Sequence, residues 1–437
     1  MNNCVDSGKR SDNLKNRTVS VLSKTESNNS LGVCVSTKET LMQGLEQLRL
    51  GARRGLAAIE KKQVLTSQTN ILPVTFTFND VKKLPGMNQQ RTESALAALR
   101  AKGMEFKRDE SKQPSPYSFS LADVRSIYQE AGIQSNRQRL EQMGRWNGAS
   151  VVAALSLKGG VGKSTTAATL ASGFIHARNL IAQQMRICII DLDPQASLSV
   201  AFGYKGLGLK EQHSAVEAIM TQASPDTLRQ WVKPTASEGL YILPASSADS
   251  FFSLHAYRFA DKTGINVTEL LSKFVIEPLK NDFDLIIIDC GPHLDAALLN
   301  AMQCSHSMLI PVGLDPLEFD STLKFVDRMY DLYDTIPSPI LDPERIKFIA
   351  TKQDASNQIH LDNYQIMMRC WPGHVLSHKM DNLRPFSAVF EEGQGQTVFT
   401  IQPKAYSGDS RSLKRALSVA ENVVTEVFGA LVNGETM

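Results

Sequence analysis

The sequence has few cysteines and no long apolar run. Its 437 residues include six cysteines, and no two of them form a CxxC pair, so we expect neither a disulfide framework nor a cysteine-based metal site. No stretch approaches the roughly 18 apolar residues that a membrane-spanning helix needs. The opening residues, MNNCVDSGKRSDN, lack the apolar core of a signal peptide. These absences exclude a secreted disulfide-rich scaffold and predict a cytoplasmic protein with reduced thiols and no membrane partner.

The net charge is small but unevenly distributed. The whole chain carries +2. Residues 38–145 hold 18 Lys and Arg against 11 Asp and Glu, a net charge of +7, whereas residues 146–437 carry a net charge of −7. A basic N-terminal third on an acidic body indicates contact with a polyanion such as nucleic acid. The alternative interpretation is that this basic surface contacts solvent and no polyanion.

Two segments precede the first predicted domain. Residues 1–36 are rich in Ser, Asn and Lys and poor in aromatic residues, which predicts a disordered tail. Over residues 37–64, Leu and Ile recur at roughly helical spacing, which predicts an amphipathic helix. Because no domain surrounds this helix, we expect its apolar stripe to pack against a second copy of the chain and to serve as a dimerisation helix.

Residues 65–145 show the order of elements found in a winged helix-turn-helix domain. A short helix is predicted over residues 79–84, a Pro-Gly turn follows, and a second helix is predicted from Asn88 to about residue 102. Two extended segments, MEFKR and YSFSL, come next as a wing. In such a domain the second helix enters the major groove and the wing meets the flanking backbone; a helix-turn-helix that binds protein is the alternative. The predicted DNA contacts are Asn88, Gln89, Gln90, Arg91 and Ser94 in the helix and Lys107, Arg108 and Lys112 in the wing.

Residues 146–437 alternate apolar strands with helical segments. Six strands are predicted, in the segments ASVVAALSL, RICIIDLD, LYILPA, FDLIIIDCGP, HSMLIPVGL and IKFIAT. Continuous apolar strands between helices indicate a parallel sheet that is covered on both faces. We therefore predict an α/β fold for this part of the chain.

The segment LSLKGGVGKSTTAATLA, between the first strand and a helix, predicts a phosphate-binding loop. Leu157 replaces the first glycine of the standard pattern, and an additional lysine, Lys158, follows it. Glycines let backbone N–H groups converge on phosphate oxygens at the start of a helix, Lys163 would reach the β- and γ-phosphates, and Ser164 would bind Mg²⁺. The fold is thus predicted to be a P-loop NTPase with a mostly parallel sheet. Its predicted nucleotide-binding residues are Lys158, Gly159, Gly160, Val161, Gly162, Lys163, Ser164 and Thr165.

Carboxylates stand at the ends of two other predicted strands. Asp191 and Asp193 are two residues apart and point toward the same crevice, and Asp289 ends an apolar run that is typical of a Walker-B strand. Carboxylates beside a triphosphate need Mg²⁺ between them or an attacking water to orient; Asp191 could instead cap the turn after its strand. The predicted metal ligands are Ser164, Asp191, Asp193 and Asp289.

Together the motifs KGGVGKST, DLDPQ and IIIDCGPHLD resemble the deviant Walker-A ATPases of the ParA/MinD class. With the preceding helix and winged helix-turn-helix, residues 38 to 430 resemble the type Ia branch, the ParA proteins of low-copy plasmids and plasmid-prophages. The resemblance implies ATP, ADP and Mg²⁺ as ligands and a homodimer in which Lys158 of one subunit reaches the phosphates held by the other. It also implies that Asp193 positions the attacking water. The catalytic residues expected on this basis are Lys158, Lys163 and Asp193.

The resemblance further implies a role in plasmid partition. The ADP-bound protein would favour operator DNA and repress the partition operon, and the ATP-bound dimer would coat nonspecific nucleoid DNA. A ParB-type centromere-binding protein would stimulate the weak ATPase and release the dimer. Nonspecific DNA binding in the family depends on basic residues near the C-terminus, which Arg411, Lys414 and Arg415 match, although Leu417 stands where an arginine is expected. The adenine contacts are expected in ATKQD or in IQPKAY.

Three other functions compete with this one. A membrane-cycling MinD-like ATPase would need a basic amphipathic C-terminal helix, and the segment AENVVTEVFGALVNGETM contains neither Lys nor Arg. An iron–sulfur reductase of the same fold would need paired cysteines. A nucleotide-sensing transcriptional repressor without a transport role is compatible with every motif above.

Overall fold

The computed structural model describes residues 42–55, 74–204, 213–392, 396–403 and 406–433. The chain divides into two units, Met1–Glu60 and Lys61–Met437. In the first unit, residues 42–55 form a helix, α1, whose side chains are almost all exposed, including Leu45 and Leu48. Helix formation agrees with the sequence expectation over these residues. The predicted tail and the remainder of the predicted 37–64 helix lie outside the described residues, and the dimer contact stays a prediction.

The two helices of the predicted helix-turn-helix form at the start of the second unit. Helix α2 (Phe78–Val81) begins in a capping box of Thr77 and Asp80 and is shorter than predicted. Helix α3 (Gln89–Ala101) begins after Asn88, whose Oδ1 accepts a hydrogen bond from the N–H of Arg91 at 2.8 Å. The cap that the sequence indicated is therefore present, because Asn is a favourable N-cap residue.

The wing is less regular than a two-stranded ribbon. Its two segments meet in an isolated antiparallel bridge between Arg108 and Tyr117, and the second segment also bridges, through Phe119, to Phe76 before α2. Prolines at 114 and 116 have no N–H to donate, which limits the ladder. Two helices that the sequence analysis did not predict follow, α4 (Leu121–Glu130) and α5 (Asn136–Gln142). Helix α4 starts in a capping box and buries four apolar or aromatic side chains in the domain core.

The rest of the second unit is built on a seven-stranded sheet of order β3-β4-β2-β5-β1-β6-β7. All six predicted strands are present and pair in parallel. The seventh, β3, was not predicted; it is a two-residue antiparallel edge strand containing a proline, which edge positions tolerate. The strands are β1 Ser150–Ala154, β2 Ile187–Asp191, β3 Lys233–Pro234, β4 Leu240–Leu243, β5 Leu285–Asp289, β6 Ser307–Gly313 and β7 Ile346–Thr351.

Helices cover both faces of this sheet, as the continuous apolar strands predicted. Alternate residues of β2 belong to two different apolar clusters: Ile187 and Ile189 join one, and Cys188 and Ile190 join the other, because successive side chains of a strand point to opposite faces. The helices are α6 Lys163–His176, α7 Ser197–Ala201, α8 Ala215–Thr221, α9 Pro225–Trp231, α10 Phe252–Thr263, α11 Glu277–Leu279, α12 Ala296–Cys304, α13 Pro316–Asp334, α14 Gln358–Cys370, α15 Arg384–Glu392 and α16 Ser410–Val427.

The helix-turn-helix region packs directly on the sheet-containing region. Arg125 of α4 is largely buried there and donates a hydrogen bond to the carbonyl of Met185 at 2.9 Å. Arg178, just after α6, forms an ion pair with Asp80 of α2 at 3.1 Å. Arg137 of α5 donates to the carbonyl of a loop residue before β5 at 3.0 Å. The DNA-binding prediction and the phosphate-loop prediction therefore fall in one compact unit.

Candidate functional site

The predicted phosphate-binding loop joins β1 to α6. Gly160 and Gly162 have φ values of +84° and +89°, a left-handed conformation that glycine adopts without the cost that a side chain would add. Gly162 is the N-cap of α6 and provides no side-chain cap, so the first N–H groups of the helix have no intrahelical acceptor. Thr351, at the end of β7, donates a hydrogen bond to the carbonyl of Val161 at 2.7 Å and fastens the loop. This arrangement leaves a helix N-terminus open to an anion.

The two lysines of the loop lie in different environments. Lys163 is 6% exposed, and its Nζ donates to the carbonyl oxygen of Lys158 at 3.1 Å. Burial lowers the pKa of Lys163, while Asp289 and Asp193 oppose that shift. The side chain of Lys158 is partly exposed, and its ammonium has no hydrogen-bond or ion-pair partner among the residues that the structure describes. Lys163 therefore belongs to the interior of the site, whereas the ammonium of Lys158 is available to a group outside the site.

Asp289 lies at the centre of the acidic group. It is fully buried at the end of β5, and neither carboxylate oxygen has a hydrogen-bond partner of good geometry within the described part of the chain. Burial raises the pKa of Asp289 well above its usual value and Asp191 adds to the rise, whereas Ser164 and Lys163 favour the charged form. A buried carboxylate without partners beside a phosphate loop fits a cation. The structure thus offers Asp289 and Ser164 as residues compatible with Mg²⁺.

Asp191 lies opposite Asp289 on the neighbouring strand but has protein partners. Its Oδ2 accepts hydrogen bonds from the N–H and the hydroxyl of Ser199, at 2.9 and 2.7 Å, and its Oδ1 accepts one from the N–H of Asp193 at 3.1 Å. Burial raises the pKa of Asp191 to about 7. These contacts fasten the segment after β2 and favour the alternative that Asp191 caps this turn; its role as a metal ligand stays a prediction.

Asp193 lies beside the same site. Its Oδ1 accepts a hydrogen bond from the N–H of Gln195 at 2.9 Å, and a Cβ added at Gly291 would stand 3.5 Å from its carboxyl carbon. Over the described ranges, no group of three or more His, Cys, Asp or Glu side chains is arranged to hold a metal by itself. A cation bound here would therefore need phosphate oxygens or water as further ligands.

A cavity of about 110 Å³ opens next to the loop. It was not predicted, although one of its walls is the ATKQD segment considered for the base. Lys352 of that segment has φ +52°, unusual for a residue with a side chain. Of the alternative segment, IQPKAY, the structure describes residues 401–403 and 406, and none of these lines the cavity. Its lining includes Gly162, Thr165, Lys352, Met380, Asp381 and Phe386.

Glu318 is a residue near the loop that the sequence did not indicate. Its Oε1 is 4.0 Å from Nζ of Lys352, and its Oε2 is buried without a hydrogen-bond partner in the described structure. A Cβ at Gly313 would come within 1.7 Å of Oε2, so this carboxylate can fold back toward the loop only because residue 313 is glycine. An acidic residue in the first turn of a helix ordinarily indicates only an interaction with the helix dipole, and the sequence contained no further signal.

The predicted DNA contacts on α3 share an exposed surface. Gln89, Gln90, Arg91 and Ser94 are all exposed, and the side chain of Asn88 is occupied in capping α3.

In the wing, Arg108 lies over the ring of Tyr117 at 4.3 Å and also donates a hydrogen bond to its hydroxyl. Lys112 forms an ion pair with Asp109 at 2.6 Å, whereas Lys107 is exposed without a described partner. The DNA role of these residues stays a prediction.

The predicted C-terminal contacts lie on one face of α16. Arg411, Lys414 and Arg415 are exposed, and Leu417 is partly buried. Lys414 has no ion-pair partner among the described residues, but Arg415 pairs with Asp381 at 2.5 Å. The structure therefore brings one predicted DNA contact to the wall of the cavity.

Comparisons with known proteins agree with this architecture. A family model described as "ParA helix turn helix domain" matches residues 58–140, and one described as "AAA domain" matches residues 149–339. Plasmid partition protein A of Escherichia coli is 27% identical over 350 residues, which cover 79% of this chain and 86% of that protein. The chain is therefore similar to plasmid partition proteins, and its helix-turn-helix region matches the model of the ParA helix-turn-helix domain. Protein SopA of Escherichia coli K12 is 24% identical over 64% of this chain and 71% of its own length.

Two solved structures show the same fold. One described as "Partition Protein" has a TM-score of 0.68 at 24% identity and covers 90% of this chain and 99% of its own. The structure of a Cyanothece McdA variant in complex with ATP has a TM-score of 0.52 at 16% identity, covering 67% of this chain and all of its own. The predicted fold class, a P-loop NTPase preceded by a helix-turn-helix, is confirmed. None of the helices in the described ranges is long and apolar enough to cross a membrane.

Proposed function

We propose that this chain is a weak, DNA-binding partition ATPase that acts as a homodimer. The observation that carries the proposal is the different environment of the two lysines in the loop. Lys163 is buried at the start of α6, whereas the ammonium of Lys158 has no partner within the described residues. One chain thus has the residues to hold its own ATP and a spare ammonium for the nucleotide of a second copy. The ATP named for the Cyanothece protein of the same fold supports the choice of nucleotide.

The residues of this chain take the following roles. Gly160, Gly162 and the first turn of α6 bind the phosphates, and Lys163 donates to their oxygens. Ser164 and Asp289 would hold Mg²⁺, which would supply positive charge beside the phosphates. Asp193 orients the attacking water by accepting a hydrogen bond from it. Lys158 of one subunit stabilises charge at the phosphates of the other, so hydrolysis depends on the dimer.

The nucleotide would select among DNA partners. The ADP-bound form binds operator DNA through α3 and represses the partition operon, and the ATP-bound dimer binds nonspecific nucleoid DNA through the basic face of α16. A ParB-type centromere-binding protein stimulates hydrolysis and releases the dimer. This cycle places the protein on the nucleoid in the cytoplasm. The exposed surface of α3 and the names of the relatives support it.

A DNA-binding assay tests the proposal. Operator and random duplexes are titrated with the full chain in ADP and in ATP with Mg²⁺, with and without the cognate ParB-type protein, while phosphate release is followed. We expect ADP to favour the operator, ATP to promote random-duplex binding, and the partner to accelerate release. If ATP never promotes random-duplex binding and the partner leaves hydrolysis unchanged, the competing function, a nucleotide-sensing repressor, replaces this one.

A further inference from the structure

An ion pair connects α16 to the wall of the cavity beside the phosphate loop. Nη2 of Arg415 lies 2.5 Å from Oδ2 of Asp381, and these residues are 34 positions apart in the chain. Asp381 lines the cavity, and its side chain is 23% exposed, whereas that of Arg415 is 62% exposed. The contact therefore lies at the rim of the cavity and is only partly screened by solvent.

The wall that contains Asp381 is an irregular segment attached to β7. The N–H of Met380 donates to the carbonyl of Ala350 at 2.9 Å, and the N–H of Asn382 donates to the carbonyl of Gln353 at 3.0 Å. These bonds hold the backbone of the wall along one edge.

On the other side, α16 contacts the segment at two places. The carboxylate of Glu426 accepts hydrogen bonds from the N–H groups of Ser377 and His378, at 2.7 and 2.8 Å, and the guanidinium of Arg415 binds the side chain of Asp381. Removing that guanidinium would release the side chain of Asp381 at the rim of the cavity and leave the rest of the segment attached to α16.

We propose that Arg415 is a positioning residue for the nucleotide, because its ion pair fixes Asp381 at the part of the cavity wall that faces the base. The inference rests on the proposed function, in which the loop binds a nucleotide, and it adds that the base of that nucleotide lies in the adjacent cavity. The cavity adjoins Gly162 and Thr165 of the loop, and Met380 and Phe386 give it apolar walls against which a base can pack. Arg415 thereby has a role that does not require DNA, although the sequence indicates only a DNA contact.

Lys414 supplies a matched control. It neighbours Arg415 on the exposed face of α16 and has no described ion-pair partner, so Lys414→Ala removes the same amount of positive charge from the same surface. Asp381→Asn removes the other half of the pair. Arg415→Lys keeps the charge, and its thermal unfolding and ADP affinity show whether loss of affinity in Arg415→Ala reflects misfolding.

The experiment is calorimetric titration of the full chain, without DNA, with ADP and separately with pyrophosphate, both with Mg²⁺. Arg415→Ala and Asp381→Asn should each weaken ADP binding roughly two- to five-fold, as expected for a half-exposed ion pair, and the double variant should lose no more. Pyrophosphate has phosphates but no base, so its affinity should not change. Lys414→Ala should match the wild type, and Arg415→Lys should retain most of the affinity.

Three results would overturn the inference: unchanged ADP affinity in Arg415→Ala, an equal loss in Lys414→Ala, or a parallel loss of pyrophosphate affinity. The last result would mean that Arg415 supports the loop as a whole rather than the base. A wild-type chain that binds neither ADP nor ATP would instead refute the proposed function. The failure of one proposal is thus distinguishable from the failure of the other.

Discussion

Removing each lysine of the phosphate loop should have a different consequence. Lys163→Ala removes a buried ammonium that donates to a backbone carbonyl at 3.1 Å and partly balances the charge of Asp289. Lys158→Gln removes an ammonium that has no partner within the described residues. The first change removes a ligand of the chain's own nucleotide. The second leaves that binding site intact and removes a group that we assign to the neighbouring subunit.

The expected magnitudes follow from the energies of charged hydrogen bonds. Such a bond contributes about 1.5–3 kcal/mol, which corresponds to roughly a 10- to 150-fold change in Kd. Lys163→Ala should therefore raise the Kd for ADP by at least about ten-fold. Lys158→Gln should change it by less than about two-fold, yet lower ATP turnover by on the order of 100-fold, the effect of losing one donor to developing charge.

Calorimetric titration with ADP and Mg²⁺ measures the first quantity, and phosphate release from ATP measures the second. Lys262→Gln, an exposed lysine at the end of α10, controls for a general loss of positive charge. The reasoning would be refuted if Lys158→Gln weakened ADP binding as much as Lys163→Ala. It would also be refuted if Lys158→Gln hydrolysed ATP at the wild-type rate.

Three further predictions concern stability and DNA. A Cβ at Gly173 would lie 2.5 Å from Cγ1 of Val424, so Gly173→Ala should lower the free energy of unfolding in urea by about 1–3 kcal/mol; an unchanged midpoint would contradict this packing. Burial lowers the pKa of His176 from 6.5 to about 4, so on acidification the unfolded state binds the proton before the folded state does. The free energy of unfolding should therefore fall by up to ~3 kcal/mol as the pH drops from about 6.5 to 4. In His176→Gln, which has no group to titrate at this position, the fall should be smaller. Asn88→Ser keeps an N-cap residue and removes the amide, so the free energy of unfolding should stay within about 0.5 kcal/mol of the wild-type value. Operator affinity, measured by fluorescence anisotropy, should fall. An unchanged operator affinity would mean that Asn88 only caps the helix.

The elements that could be predicted from the sequence carry their signal locally. Each parallel strand is a continuous apolar run, the loop before α6 is a contiguous motif, and α3 begins at a recognisable cap, Asn88. Helix α4 was missed because its capping Ser120 and its first residue, Leu121, belong to the alternating segment YSFSL, which has the period of a strand. Strand β3 was missed because two residues, one of them a proline, show no pattern.

The parts of the site that could not be predicted depend on residues that are distant in the chain. Glu318 reaches the loop because residue 313, at the end of another element, has no side chain. Arg415 and Asp381 form an ion pair only after α16 has packed on the sheet. Motif spacing describes what one segment does, whereas these contacts depend on how segments pack. Asp191 shows the same limit: its position indicates a metal ligand, and its partner Ser199 favours a structural role.

The nucleotide and DNA predictions share one helix. Helix α6 spans 14 residues, about 21 Å, and its first turn lies where we propose that the phosphates bind. Near its end, Gly173 lets Val424 of α16 approach closely, and Arg178 pairs with Asp80 in the capping box of α2. Because closely packed helices shift as rigid bodies rather than deform, a displacement of α6 at the phosphates would move both surfaces that we assign to DNA. The position of α6 therefore gives a physical reason for a single nucleotide to act on two kinds of DNA binding.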